Sequence, residues 1–145
     1  MPANTNPIFT VTPKITWITG NPYTSVVQIT TSGAYDGTSG QVVYTAGANG
    51  GFLNKIVCEA AGTNSTNSVL RLSINNGNPL LTGSNNVLFM QYSLPTTTAS
   101  NTSATSHIEV PIMTQMPSGY RAIVSIGSSS NLGGGWHISA VAGDY

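Results

Sequence analysis

Val69-Leu70-Arg71-Leu72-Ser73-Ile74-Asn75, running into Asn76-Gly77-Asn78-Pro79, is the stretch whose reading decides the fold class. Leu70, Leu72 and Ile74 alternate with Val69, Arg71, Ser73 and Asn75, and a period of two sends the two sets to opposite faces of a strand. On this reading Arg71 lies on a solvent or contact face. The strand stops where Asn-Gly tolerates positive φ and Pro79 cannot continue a central ladder, so a turn is predicted over Asn75–Pro79.

The same pattern of short apolar blocks parted by Gly, Asn, Ser and Pro extends in both directions, and no stretch carries a helical period. Further strands are predicted at Ile8–Thr12, Lys14–Thr19, Val26–Thr31, Gln41–Ala46, Phe52–Ala60, Val87–Leu94, His107–Ile112, Tyr120–Ile126 and Gly135–Ala142. In the last block Trp136, Ile138 and Ala140 share a face, and Trp136 is expected in the core. In Tyr120–Ile126, Arg121 stands opposite Tyr120, Ala122, Val124 and Ile126. Cys58 is expected to be a small buried apolar residue on a face shared with Phe52, Ile56 and Ala60.

So many short blocks cannot form one open sheet without leaving exposed edges. The expected fold is all-β, a single β-sandwich of jelly-roll or Greek-key type. The connections Thr31–Gly40, Gly62–Ser68, Thr96–Ser106 and Gly127–Gly134 are longer than hairpin turns and favour crossings between sheets over a meander. Pro2, Pro7 and Pro13 make residues 1–13 an extended N-terminal arm or an attached terminus, ahead of a sandwich domain over 14–145.

Composition narrows the chemistry. Only eight of 145 residues are charged, four of each sign, whereas Ser, Thr and Asn make up about a third of the chain. An ordinary domain is about 25% charged, so hydroxyls and amides take over solvation and neighbours are expected to cover part of the surface. Four dispersed basic residues cannot supply the phosphate neutralisation that nucleic acid binding needs. No apolar run approaches a membrane span. The first residues lack a basic or apolar signal segment, and synthesis in a cytosol is expected. A lone cysteine leaves no internal disulfide and no cysteine-based zinc cage.

Constellations with catalytic potential are sparse. His107 and Glu109 share a strand face by their i, i+2 spacing, and with His137 or Asp144 nearby they would form a metal or acid–base site; a solvated or interface-facing pair is the simpler reading. No serine lies in a Gly-x-Ser-x-Gly elbow. The glycines of Gly127–Gly135 lack the helix and lysine of a phosphate loop. Asn64-Ser65-Thr66 and Asn101-Thr102-Ser103 fit the glycosylation tripeptide as chance matches in an Asn-rich chain. Trp17, Tyr23, Tyr35, Tyr44, Tyr92, Trp136 and Tyr145 invite comparison with a sugar-stacking platform, with Tyr23 and Tyr35, beside Pro and Gly, the best candidates for exposed contacts.

Several phrases together carry a resemblance: Pro7–Pro13, Tyr44-Thr45-Ala46-Gly47-Ala48-Asn49-Gly50, Ile74-Asn75-Asn76-Gly77, Met116-Pro117-Ser118-Gly119-Tyr120, and the closing run from Gly134-Gly135-Trp136 to Gly143-Asp144-Tyr145. In these the chain resembles small β-sandwich decoration, or cement, proteins of tailed-bacteriophage capsids. The resemblance implies a structural protein outside the capsid that ties major capsid protein subunits together, commonly as a homotrimer. It implies no catalytic residue, cofactor or metal. Intersubunit contacts are expected at Ile8, Phe9, Tyr23, Tyr35 and the Thr96–Thr105 loop, represented by Thr97 and Asn101. Head-fibre, tail or baseplate components and carbohydrate-binding modules use similar sandwiches, and an enzyme acting through His107, Glu109 or His137 is the remaining alternative.

Overall fold

The computed structural model describes residues 10–24, 37–78, 83–128 and 132–145. They form eight strands, β1 (Thr12–Trp17), β2 (Gln41–Thr45), β3 (Gly51–Ala60), β4 (Ser68–Asn75), β5 (Asn86–Leu94), β6 (His107–Met116), β7 (Arg121–Gly127) and β8 (Trp136–Asp144), with one 3-10 turn at Gly83–Asn85. Two antiparallel sheets result, in the orders β1-β8-β3-β6 and β2-β7-β4-β5. β1 pairs with β8, β2 with β7, β3 with β6 and β4 with β5, so each pair's numbers sum to nine. Such a nested ribbon, rolled until β3 meets β8 and β4 meets β7, is the eight-stranded jelly roll. The expected all-β sandwich is what the chain forms.

The β4–β5 link alone stays within one sheet, and it opens with the turn predicted from Asn75 onward, of which Pro79 lies outside the described residues. Gly77 takes φ 90°, and the Asn75 side chain accepts the Gly77 N–H at 2.9 Å while donating to Asn86 Oδ1 at 2.8 Å. An asparagine closing its own turn in this way is the Asx geometry that makes the residue common there.

Leu53, Ile56, Cys58, Val110, Trp136, Ile138 and Ala140 from the first sheet meet Val43, Leu70, Leu72, Ala122, Val124 and Ile126 from the second, all buried. Trp136 and Cys58 occupy the core as expected. Burial pushes the Cys58 thiol up to about 12, so it is a packing residue and not a reactive thiolate.

Bulges change the expected faces. Leu53 pairs with Ala142 and Lys55 with Val141, so Asn54 is an extra residue in β3. The alternation inverts there, and Leu53 rather than Phe52 joins Ile56, Cys58 and Ala60 in the core. Opposite it, β6 passes Ile112 and continues to Met116 through Met113, whose φ of 52° is unusual for a residue with a Cβ.

Two prolines lie inside strands: Pro13, where the sequence predicts a break between two strands, and Pro111, which falls within the predicted strand His107–Ile112. Pro13 is in β1 and Pro111 in β6, the two edges of the first sheet. Ile18 N–H donates to the Ile138 carbonyl and Ala60 N–H to the Ser106 carbonyl, so alternation turns both proline nitrogens to the free edges, where no donor is needed. Of the expected arm, residues 1–9 lie outside the described residues, as do Ile8, Phe9, Tyr35 and the predicted strand Val26–Thr31. Thr12 and Pro13, within the expected arm, pair with Asp144 and Gly143.

Arg71 is also corrected. It is 4% exposed rather than solvent-facing, with its guanidinium over Gly127, where an added Cβ would sit 2.0 Å from Nη1. The outer face of β4 and β7 is covered: Ser73, Ser125 and Ile123 are buried, and Gly37 and Gly40 lie against Ser73 and Ile123.

Candidate functional site

The outer face of the β1-β8-β3-β6 sheet is open, and registers fix which side chains share it. One row across the strands reads Trp17, Ser139, Val57, Glu109; the next reads Ile15, Val141, Lys55, Pro111; a third holds His137, Glu59 and His107. Neighbouring strands lie about 4.8 Å apart, close enough for side chains in a row to touch. The β1 end is apolar and the β3/β6 end ionic.

At the ionic end, His107 Nδ1 lies 2.5 Å from Glu59 Oε2 and its Nε2 3.6 Å from Glu109 Oε1, while Lys55 Nζ donates to Glu109 Oε1 at 2.5 Å. The four form a chain of alternating sign, Glu59, His107, Glu109, Lys55, open to water. The bond to Glu59 raises the His107 pKa, burial works against it and Glu109 adds to it. The Lys55 bond holds Glu109 below the usual carboxylate range. The expected sharing of a face by His107 and Glu109 is seen; of the suggested companions, His137 lies across from Glu59, while Asp144 is at the far end of β8. The charges read as scattered along the chain are thus partly gathered.

Asp144 serves another purpose. It pairs with Lys14 of the first strand and accepts from Tyr44 Oη at 2.7 Å and Gly47 N–H at 3.1 Å. Burial opposes its ionisation, but the bonds from Lys14, Tyr44 and Gly47 prevail and lower its pKa. The arrangement ties first and last strands to the turn after β2.

The Thr96–Thr105 loop is fastened by neutral groups. Asn64 is fully buried; its Nδ2 donates to Thr97 Oγ1 at 3.0 Å and to the Gly135 carbonyl at 3.1 Å, and its Oδ1 accepts Gly135 N–H at 2.8 Å. Thr97 Oγ1 donates to the Gly62 carbonyl at 2.7 Å. A buried Asn64 cannot receive a glycan, in keeping with a chance tripeptide.

Two expected contact residues are therefore inside the fold. Thr97 is 7% exposed, and Tyr23 is 5% exposed because its backbone pairs in both directions with Trp136 and carries the ring into the core. Flanking Pro and Gly marked a loop correctly there but not an exposed one. Burial raises the Tyr23 phenol pKa. Asn101 is exposed, in a turn where Ser100 Oγ accepts the N–H groups of Thr102 and Ser103. Among the described residues the aromatic side chains do not assemble a platform: Tyr23, Tyr44 and Trp136 are buried, Tyr92 lies on β5 in the other sheet, and Trp17 stands exposed on β1.

A shallow depression of about 350 Å³ between β4 and β5, lined by Asn67, Ser68, Val69, Ser93, Leu94 and Pro95, holds no titratable side chain. Among the described residues no cluster of His, Cys, Asp or Glu has an arrangement that could hold a metal ion, and no helix is long and apolar enough to cross a membrane. No family model, curated protein or solved structure matches the chain, so the fold and its side chains carry the functional reading.

Proposed function

We propose that this chain is a structural virion protein that decorates a bacteriophage head from outside, meeting major capsid protein through the β3/β6 half of its open sheet face. The observation that carries the reading is the concentration of Lys55, Glu59 and Glu109, with His107, into one solvent-facing network in a chain of eight charges. Charges kept for solubility are best dispersed. An alternating row on a flat face instead fixes orientation and register against another folded surface. The resemblance to decoration proteins points the same way, and jelly rolls are frequent in viral capsids, although a fold alone assigns no role.

The mechanism is mechanical. Each protomer adds an individually weak, directional contact, and copies on one shell act together because every further contact is effectively intramolecular. Rupture of the shell then requires breaking many of them. The reading assigns no catalytic residue, cofactor, metal, nucleic acid or membrane, and places the protein on the capsid exterior after synthesis in the host cytoplasm.

Co-sedimentation with undecorated, expanded phage heads tests it. Saturable attachment that raises the temperature of head rupture is expected; a protein left in the supernatant at every ratio overturns the reading.

A further inference from the structure

The apolar end of the same face has a separate use. Val11, Ile15 and Trp17 are 67%, 69% and 67% exposed, and with exposed Pro13 they form a stripe at alternate positions of β1 and its lead-in. The stripe is not a loose end. β1 is in register with β8 over six residue pairs, and the intervening Lys14 and Thr16 are bonded to Asp144 and the Val43 carbonyl. Singly scattered apolar residues need no explanation, but a contiguous exposed row on a rigid strand does.

We propose that this stripe is a two-fold contact with a second copy of the chain. Strand addition at the β1 edge is interrupted by Pro13, which has no N–H to offer there, so the contact is made by side chains. Laid antiparallel on its own copy, the stripe sets Trp17 over Val11 and Ile15 over Pro13, the larger residue against the smaller at each step. A two-fold contact requires this self-complementarity, because residue i meets j and j meets i. The surroundings suit it too: the β8 neighbours Gly143, Val141 and Ser139 are uncharged, and the charged network lies at the β3/β6 end of the face. The four side chains offer on the order of 400 Å² per copy, about half of what a stable interface supplies, so the dimer is weak in solution and strengthened where copies are held side by side. The contact goes beyond shell attachment and does not depend on it.

Sedimentation velocity on the whole chain, from low micromolar to near-millimolar concentration, is the test. The mass should rise from the 15.0 kDa monomer to twice that, with a blue shift of Trp17 emission against the constant background of buried Trp136. Ile15→Lys should weaken dimerisation at least tenfold, as should Trp17→Ser, a milder change on the same face that serves if the lysine variant misfolds. A monomer throughout, a trimer, or a dimer indifferent to both substitutions overturns the proposal. So does a Trp17 emission change caused in the monomer by neutral oligosaccharides such as maltohexaose, which would make the stripe a sugar site. Because heads are absent from this assay, its failure leaves shell attachment standing, and failure of shell attachment leaves the dimer standing.

Discussion

The Asn64 cluster and the Glu59–His107–Glu109–Lys55 network are both polar, yet they do opposite things. Asn64 is buried without charge, and its side chain meets Thr97 and both backbone groups of Gly135. The network carries three formal charges and a histidine in open water. Neutral groups are cheap to desolvate when every bond is made, and costly to expose singly once inside. Ions at a surface add little to stability because water screens them. The chain therefore holds its loops with amides and hydroxyls and leaves charge where a partner can use it. Lys14–Asp144 lies between, an ion pair whose carboxylate is mostly covered while the lysine stays partly in water.

The sharpest break of this comparison is Asn64→Ala. It strands Gly135 N–H inside the fold, leaves the Gly135 carbonyl with the Ala61 N–H alone, and should cost about 3 kcal/mol, read as a lowered urea midpoint. Thr97→Val keeps the shape but removes the hydroxyl that serves Asn64 and Gly62, and should cost about 1–2 kcal/mol in the same assay. An unchanged midpoint for both would mean that the loops are held by something else.

Acidification probes the intermediate case. Asp144 has a lowered pKa in the fold, so its stabilisation is complete above the ordinary carboxylate value of about 3.9 and is lost as pH falls through the lower folded value. Thermal unfolding followed downward from pH 5 should show that loss, and Asp144→Asn should be less stable at pH 7 and flatter through the acid range. Equal slopes would remove Asp144 from the account.

The exposed network should show the smallest effect on stability and the clearest effect on attachment. His107→Ala should leave the urea midpoint unchanged. Because the His107 pKa is raised, its charged form survives above the ordinary value of about 6.5 and is lost as pH rises through the raised one. Binding to heads should weaken over that window in the parent chain, and the weakening should vanish in the variant.

Local grammar made the strands legible, and pairing register kept the site hidden. Leu70, Leu72 and Ile74 announce β4, and Asn75-Asn76-Gly77 its turn, because both signals reside in adjacent residues. Lys55 and Glu59 share one strand face, as do His107 and Glu109, but nothing in the sequence says that Glu59 stands opposite His107. The bulge at Asn54 adds to the difficulty, because it inverts the faces of β3 with no glycine or proline to mark it. Pro13 reads as a break when taken alone; only the sheet order shows that it and Pro111 lie on edges, where a missing donor does no harm. The residues flanking Tyr23 mark a loop, but its backbone pairing with Trp136 decides its burial.

The central claim is that the ionic half of the open sheet face attaches this protein to a phage shell. Its most direct test is a titration of undecorated, expanded heads with the parent chain and with the double substitution Glu59→Lys and Glu109→Lys, both verified as folded by circular dichroism. The account predicts saturable binding by the parent and at least tenfold weaker binding by the charge-reversed chain. Equal binding by the two, or none by the parent, would contradict it.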